Sequence, residues 1–227
     1  MARYLPDTKT LIQHIPRCAG TFVEKAIEAA DIKFVRWVSK QASWLPKKHS
    51  MLNHYHRNQM ARVENVAAFV RHPITYYESV FKWLTRMKGK HKGMHDHWRW
   101  HPHKTADHWY EEANGHFDDW VWLILRKEPM WYTRMIEQYV GPDGGEFCDF
   151  IGRTESVAAD LADLLTHLGY SFKPHAIASV ERKNAIVSDL VWKGSLKDDV
   201  LAVERLVVER FYGDRINERF FNNWLDR

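Results

Sequence analysis

Short apolar runs alternate along this chain with segments in which apolar residues recur three and four positions apart. The runs predict β-strands, because a strand buried in a sheet needs only about four to eight apolar or alternating residues. The run from Asn65 to Val70 is almost continuously apolar, which is typical of a strand buried on both faces of a parallel sheet. The predicted strands are Leu11–Ile15, Lys33–Ser39, Asn65–Val70 and Phe147–Ile151.

The amphipathic segments predict helices, since apolar residues at this spacing share one face of a helix. Pro129 interrupts the longest segment and should divide it into two helices, because proline has no backbone N–H to donate. Thr154 or Ser156 is placed to cap the next helix, and Gly169 to end it. The first predicted helix follows Gly20, and the second begins at Pro73. Two more lie within Phe117–Val140, one follows Ser156, and the last spans Val200–Phe211. Strands that alternate with helices indicate an α/β fold with a parallel sheet.

Residues 88–116 depart from this pattern, because they are rich in Lys, His and Trp. We predict an irregular insertion there, within a single domain of residues 1–227. The histidines lack the cysteines and the fixed spacing of a metal site. A basic, aromatic segment that contacts an acceptor is preferred to a metal site, and a solvated loop is preferred to both. Outside the insertion, we predict a loop at Trp44–Ser50, a helix-compatible stretch at Met51–Arg62 and mostly loop at Phe172–Lys193.

The composition of the 227 residues is that of a globular protein, with 45% hydrophobic and 14% aromatic residues. No apolar run approaches the roughly 20 residues of a membrane span, and the N-terminal sequence lacks the apolar core of a signal peptide. Cys18 and Cys148 show no disulfide spacing, which fits a reducing compartment, so we expect a cytoplasmic protein. The net charge of +4 is a mild bias towards anionic ligands.

The segment Thr10–Ile27 has the order strand, tight loop, helix. Small residues in such a loop let backbone N–H groups approach a ligand, and the N-terminus of the following helix favours negative charge. Arg17 would add a positive charge and Thr21 a hydroxyl group. The Walker pattern of ATP-binding loops is absent, because Gly20 is the only glycine in this loop and the residue directly before Thr21 is not a lysine. The loop indicates a phosphate or sulfate ligand, with a plain strand–turn–helix as the alternative.

Two motifs resemble those of the sulfotransferases that use 3′-phosphoadenosine 5′-phosphosulfate (PAPS), especially their carbohydrate-type branch. HIPRCAGTFVEKAI, which begins at His14, resembles the 5′-phosphosulfate loop, commonly written HIPKTGGTS. FVRHPITYYESVFKWL, which begins at Phe69, resembles the 3′-phosphate segment, with an arginine after a buried strand and a serine eight positions later. The stretches Phe117–Gly141 and Phe150–Tyr170 are similar to later parts of the family sequence.

The resemblance implies a P-loop-like three-layer α/β fold, with a central parallel sheet flanked by helices. It implies transfer of a sulfuryl group from PAPS to a hydroxyl or amine of a carbohydrate or small molecule, with release of 3′-phosphoadenosine 5′-phosphate (PAP). PAPS and the acceptor are the expected partners, without a metal, a membrane or a nucleic acid. By their positions in the motifs, the expected cofactor-binding residues are Arg17, Cys18, Ala19, Gly20, Thr21, Arg71 and Ser79.

PAPS carries negative charge at its phosphosulfate and at its 3′-phosphate, so a protein must supply two anion sites. The loop would hold the first group, and Arg71 with Ser79 the second, both at the carboxyl edge of neighbouring strands. Arg17 stands where the family usually has lysine, and it can stabilise charge on the leaving phosphate but hardly donates a proton. Cys18 is expected to contribute its backbone, because no step of this transfer needs a thiol.

The transfer also needs a base that accepts the proton of the acceptor. We expect His49 and Arg17 to be the catalytic residues, since the family commonly has a catalytic His or Glu in the region of His49. His54, His56 and Glu78 are the alternative bases.

Two other functions remain open at this point. The interleaved cations and tryptophans of the insertion would suit a module that binds single-stranded nucleic acid. The strand–loop–helix segment would suit a P-loop kinase-like phosphotransferase, although the Walker lysine is missing and no aspartate stands out as a metal ligand.

Overall fold

The computed structural model describes residues 2–37, 60–87, 108–142, 146–181 and 189–213. Its strands are β1 Ala2–Leu5, β2 Thr10–Ile12, β3 Val35–Trp37, β4 Asn65–Val70 and β5 Phe150–Arg153. They form one sheet in the order β3–β1–β2–β4–β5. The strands β2, β4 and β5 are parallel, whereas β1 runs antiparallel to both of its neighbours, β2 and β3.

Helices cover both faces of this sheet. They are α1 Gly20–Ala29, α2 Pro73–Met87, α3 Phe117–Lys127, α4 Trp131–Val140, α5 Val157–His167, α6 Pro174–Ala178, α7 Leu196–Val203 and α8 Arg205–Tyr212. Ala67 and Phe69 of β4 pack with α1, α5 and α6, while Ala68 and Val70 pack on the opposite face with the other helices. The prediction of an α/β fold with a doubly buried strand at Asn65–Val70 is confirmed.

The predicted parallel sheet is present in β2, β4 and β5, and the antiparallel strand β1 makes the five-stranded sheet as a whole mixed. The N-terminal strand β1 was not predicted, since its four residues are too short for a clear alternation and include Arg3. Arg3 is nevertheless buried, and its guanidinium forms an ion pair with Glu24 of α1. The strand predicted at Lys33–Ser39 is present as the antiparallel edge strand Val35–Trp37. The last two residues of the predicted range, 38 and 39, lie outside the described residues.

The single helix predicted at Val200–Phe211 is two helices, α7 and α8, which meet at Glu204. The Glu204 side chain is fully buried, and its carboxylate accepts hydrogen bonds from the backbone N–H groups of Tyr132 and Thr133 at 3.1 and 2.8 Å. The hydroxyls of Thr133 and Tyr77 also donate to it, at 2.7 and 2.8 Å. Glu204 thereby provides acceptors for N–H groups at the N-terminus of α4, which have no partner inside that helix. This tertiary role explains the break between α7 and α8, which the apolar periodicity does not predict.

The other predicted boundaries differ less from the observed ones. The strand predicted at Phe147–Ile151 is observed as β5, at Phe150–Arg153, and the loop predicted at Phe172–Lys193 contains the short helix α6. Residues 108–112 are helical, which corrects the irregular structure predicted for the end of the insertion. The rest of the insertion, residues 88–107, the loop predicted at 44–50 and the first nine residues of the stretch predicted at 51–62 lie outside the described residues. Where the structure is described, no helix is long and apolar enough to cross a membrane.

Candidate functional site

The chain leaves β2 in a tight loop that leads directly into α1. The backbone N–H of Gln13 donates to the carbonyl of Ala67 at 2.7 Å, so the loop begins against the neighbouring parallel strand β4. Arg17 and Ala19 then adopt left-handed backbone conformations, with φ of 62° and 58°. Ala19 is the N-cap of α1, and no side chain caps that terminus. The N-terminus of α1 therefore lies at the carboxyl edge of β2, as the sequence predicts for an anion-binding loop.

Close packing inside the loop requires a glycine at position 20. A Cβ atom built on Gly20 would lie 2.0 Å from Nδ1 of His14 and 2.2 Å from its Cε1. The imidazole of His14 therefore packs directly over the first residue of α1. Thr21 follows in the first turn with an exposed side chain, so its hydroxyl is accessible at the mouth of the loop.

Arg17 connects the loop to α2. Its Nε and Nη2 atoms donate to the hydroxyl of Ser79 at 3.1 and 2.9 Å, and Nη2 also donates to the Ser79 carbonyl at 3.3 Å. Ser79 is 1% exposed, so its hydroxyl lies at the bottom of the site. The two motifs are 62 residues apart in sequence, yet their polar side chains are in direct contact.

Arg71 follows β4 and reaches the same loop. Its Nη1 atom donates to the carbonyl oxygen of Arg17 at 3.1 Å, and its Nε atom donates to the hydroxyl of Thr75 at 3.1 Å. The backbone N–H of Arg71 donates to the hydroxyl of Tyr132, at 3.1 Å, and that hydroxyl donates to the Arg71 carbonyl. Contacts of its backbone and of its guanidinium group thus fix Arg71 at the carboxyl edge of β4.

The two arginines place positive charge together in a largely enclosed position. Burial lowers the pKa of Arg17, and the neighbouring charge of Arg71 lowers it further. Within the described ranges, neither arginine forms an ion pair with a carboxylate. The arrangement (which we call the arginine site: Arg17, Arg71, Ser79 and Thr75) is suited to an anion.

Glu155 lies next to the arginine site but is engaged with α2 and α8. Its Oε1 atom accepts from the backbone N–H of His72 at 3.0 Å and from the Thr75 hydroxyl at 2.9 Å. Its Oε2 atom accepts from the hydroxyl of Tyr212 at 2.9 Å. Thr75 therefore separates this carboxylate from Arg71, donating to Glu155 while accepting from Arg71. Glu155 thus caps the N-terminus of α2.

Cys18 lies beneath the loop and has the properties of a core residue. It is 2% exposed, and burial raises the pKa of its thiol to about 12. A thiol with this pKa is protonated at neutral pH and is a poor nucleophile. Cys18 and Cys148 are both free and buried.

The structure brings together Arg17, Arg71 and Ser79, and it places Cys18, Ala19, Gly20 and Thr21 in the adjoining turn. Glu78, an alternative base, accepts a hydrogen bond from Nε1 of Trp192 at 2.8 Å. His49, His54 and His56 lie outside the described residues, so the expected base stays a prediction.

Two buried polar side chains near the loop were not predicted. Both amide atoms of Gln13 and the hydroxyl of Tyr76 are enclosed and have no hydrogen-bond partner in the described parts of the chain. Gln13 follows β2 directly, and Tyr76 lies in the first turn of α2, next to Thr75 in sequence. Tyr76 continues an apolar stripe, so its sequence pattern is that of an ordinary core residue, and Gln13 gives no signal at all.

In the parts of the chain that the structure describes, no group of three or more His, Cys, Asp or Glu side chains is placed to hold a metal ion. Comparison with protein-family models, with curated proteins and with solved structures finds no match to this chain. The chemistry of the arginine site is therefore the main guide to what the protein binds.

Proposed function

We propose that this chain is a PAPS-dependent sulfotransferase, which transfers a sulfuryl group to a hydroxyl or amine of a carbohydrate or other small acceptor. The observation that supports this most is the pair of guanidinium groups, Arg17 and Arg71, at the carboxyl edges of neighbouring parallel strands. Neither has a carboxylate partner among the described residues. PAPS carries anionic groups on both sides of one ribose, and two adjacent cations of this kind match it.

The proposed roles follow the position of each side chain. The N-terminus of α1 and the hydroxyl of Thr21 bind the phosphosulfate, with Arg17 balancing its charge. Arg71 and Ser79 bind the 3′-phosphate. Arg17 already contacts Ser79, so its guanidinium spans the boundary between the two anionic groups. In this assignment the ligand replaces part of the Arg17–Ser79 contact with charge-assisted hydrogen bonds, which are the stronger kind.

The proposed reaction is an in-line displacement at sulfur. The acceptor oxygen or nitrogen forms a bond to sulfur while the bond from sulfur to the 5′-phosphate oxygen breaks. The acceptor proton passes to a base, and PAP leaves with the bonding electron pair on its phosphate. Arg17 stabilises that charge without giving up a proton. His49 is proposed as the base from its place in the sequence, with His54, His56 and Glu78 as the alternatives.

A thermal-shift and calorimetric comparison of PAP, ATP and a single-stranded oligonucleotide tests this proposal. A ligand that binds only the folded protein raises the melting temperature, by an amount that grows with its affinity. We expect PAP to stabilise the protein most. Stabilisation by ATP with Mg²⁺ that equals or exceeds that by PAP would favour a kinase-like phosphotransferase. Oligonucleotide binding that weakens steeply with salt would favour a nucleic-acid-binding module.

A further inference from the structure

Tyr76 lies on α2, the helix that also carries Thr75 and Ser79 of the arginine site. Its sequence neighbour Thr75 accepts a hydrogen bond from Arg71, and Ser79, one turn further along, accepts from Arg17. Tyr76 precedes Ser79 by three positions, and residues three positions apart are neighbours on a helix surface, so Tyr76 lies beside Ser79 on α2. Its ring is stacked on that of Tyr132, with centroids 4.0 Å apart, and Tyr132 in turn holds the backbone of Arg71.

The hydroxyl of Tyr76 is fully buried and makes no hydrogen bond to any residue that the structure describes. The hydroxyls of the nearby buried tyrosines are paired: Tyr77 donates to Glu204 at 2.8 Å, and Tyr132 is bonded to Arg71. A phenylalanine would fill the same space without the cost of burying an unpaired hydroxyl. The unpaired group therefore needs an explanation beyond packing.

The surroundings of this hydroxyl indicate what it would bind. Burial raises the pKa of Tyr76 well above that of a tyrosine in water, and the nearby Cys18 and Tyr139 add to the rise. The positive charges of Arg17 and Arg71 act on the pKa of Tyr76 in the opposite direction. A hydroxyl that stays protonated beside two cations has a proton to donate, and an anion drawn in by those cations would accept it.

We propose that Tyr76 is an anion-binding residue, whose O–H donates a hydrogen bond to the oxyanion held between Arg17 and Arg71. This inference rests on the proposed function, because it assumes that the arginine site takes an oxyanion such as a phosphate or sulfate group of PAPS. The hydroxyl is unsatisfied in the free protein and satisfied in the complex, so it contributes to affinity at the expense of stability.

The test compares Tyr76→Phe with Tyr77→Phe, which removes a hydroxyl from the next residue of the same helix. The readouts are urea unfolding of the ligand-free protein and calorimetric titration with PAP and, separately, with inorganic pyrophosphate. We expect Tyr76→Phe to unfold at the same urea concentration as the wild type or at a higher one, and to bind PAP about tenfold more weakly. Tyr77→Phe should unfold at lower urea, because it loses the bond to Glu204, and bind PAP within about twofold of the wild type.

Four outcomes separate this inference from the proposed function. Weaker PAP binding by Tyr76→Phe without loss of stability supports both. Wild-type protein that binds pyrophosphate but not PAP, with weaker pyrophosphate binding by Tyr76→Phe, supports the role of Tyr76 and contradicts the sulfotransferase proposal. Equal PAP affinity for the wild type and Tyr76→Phe overturns the role of Tyr76 alone. Wild-type protein that binds neither anion overturns both.

Discussion

At the scale of single residues, the identity of the cation at position 17 matters most. Arg17 uses two nitrogen atoms to contact Ser79, and it stands where the resembled family usually has lysine. We expect Arg17→Ala to reduce the release of PAP from PAPS by about 10²-fold or more, the scale for loss of a donor that stabilises developing charge. Arg17→Lys should retain turnover or raise it, because lysine supplies both charge and a proton.

Steady-state release of PAP and calorimetric affinity for PAP would be measured on both Arg17 variants. A lysine variant that binds PAP normally but is inactive would show that the reaction depends on the guanidinium itself. An alanine variant with normal turnover would remove Arg17 from the catalytic step.

The left-handed residue Ala19 offers a second test at this scale. Its φ of 58° disfavours any residue with a Cβ atom, by roughly 1–2 kcal/mol for L-residues, whereas glycine adopts this conformation freely. A glycine at this position would relieve that strain, but part of the stability gained is offset by the larger entropy of glycine in the unfolded chain. We expect Ala19→Gly to raise the free energy of unfolding by about 0.5–1 kcal/mol. The control is Ala159→Gly, at an exposed position of α5, which should lower it by about 0.5–1 kcal/mol. A loss of stability in Ala19→Gly would contradict the loop geometry.

At the scale of elements, periodicity predicted where helices and strands lie but not where tertiary contacts interrupt them. The strand at Asn65–Val70 and the break at Pro129 were predictable, because the first is a continuous apolar run and the second lacks a backbone donor. The break at Glu204 was not, since its carboxylate serves the N-terminus of a helix about 70 residues away in sequence. Strand β1 was missed for a related reason, because the buried Arg3 is paired with Glu24 of α1, a tertiary contact that the sequence pattern does not reveal.

Glu204 should therefore be among the residues most important for stability. Glu204→Ala removes the only acceptor that these bonds use, leaving the N–H groups of Tyr132 and Thr133 and the hydroxyl of Tyr77 without it. We expect the free energy of unfolding to fall by about 3 kcal/mol or more. The control is Glu209→Ala, which removes only an exposed pair with Arg205 and should change stability by less than about 0.5 kcal/mol. Similar urea midpoints for the two variants would contradict this role.

Glu24 of α1 pairs with Arg3 of β1 and Arg36 of β3, and it should make the stability of the protein depend on pH. Burial opposes its ionisation, but hydrogen bonds from Arg36 and Arg3 outweigh burial, so the pKa of Glu24 is lowered. A lowered folded-state pKa gives stability that is present above the unfolded-state pKa, about 4.3, and is lost as pH falls through the folded-state value. We expect wild type to exceed Glu24→Gln in urea stability at pH 6 and the difference to shrink below pH 4.3. A difference that does not change with pH would contradict this.

At the scale of the whole molecule, the arginine site belongs to the parallel half of the sheet. The strands β2 and β4 are parallel neighbours, and each ends at the loop or helix that carries one of the two arginines. The sequence predicted this convergence because the carboxyl ends of parallel strands share one edge of a sheet. It could not predict that Arg17 would contact Ser79 directly, or that the hydroxyl of Tyr76 would be buried without a hydrogen-bond partner among the described residues, since both depend on how α2 packs.

The central claim, that Arg71 and its neighbours bind the 3′-phosphate of a PAPS-type nucleotide, is tested most directly by titrating PAP and AMP, which differ only in that group. The titrations use the wild type, Arg71→Ala and a control, Arg153→Ala, whose arginine also ends a parallel strand but stacks on Tyr212 with its Cζ 5.2 Å from the ring centroid. We expect the wild type and Arg153→Ala to bind PAP at least about tenfold more tightly than AMP, and Arg71→Ala to lose that preference. A PAP preference that survives in Arg71→Ala, or that is absent from the wild type, would contradict the account.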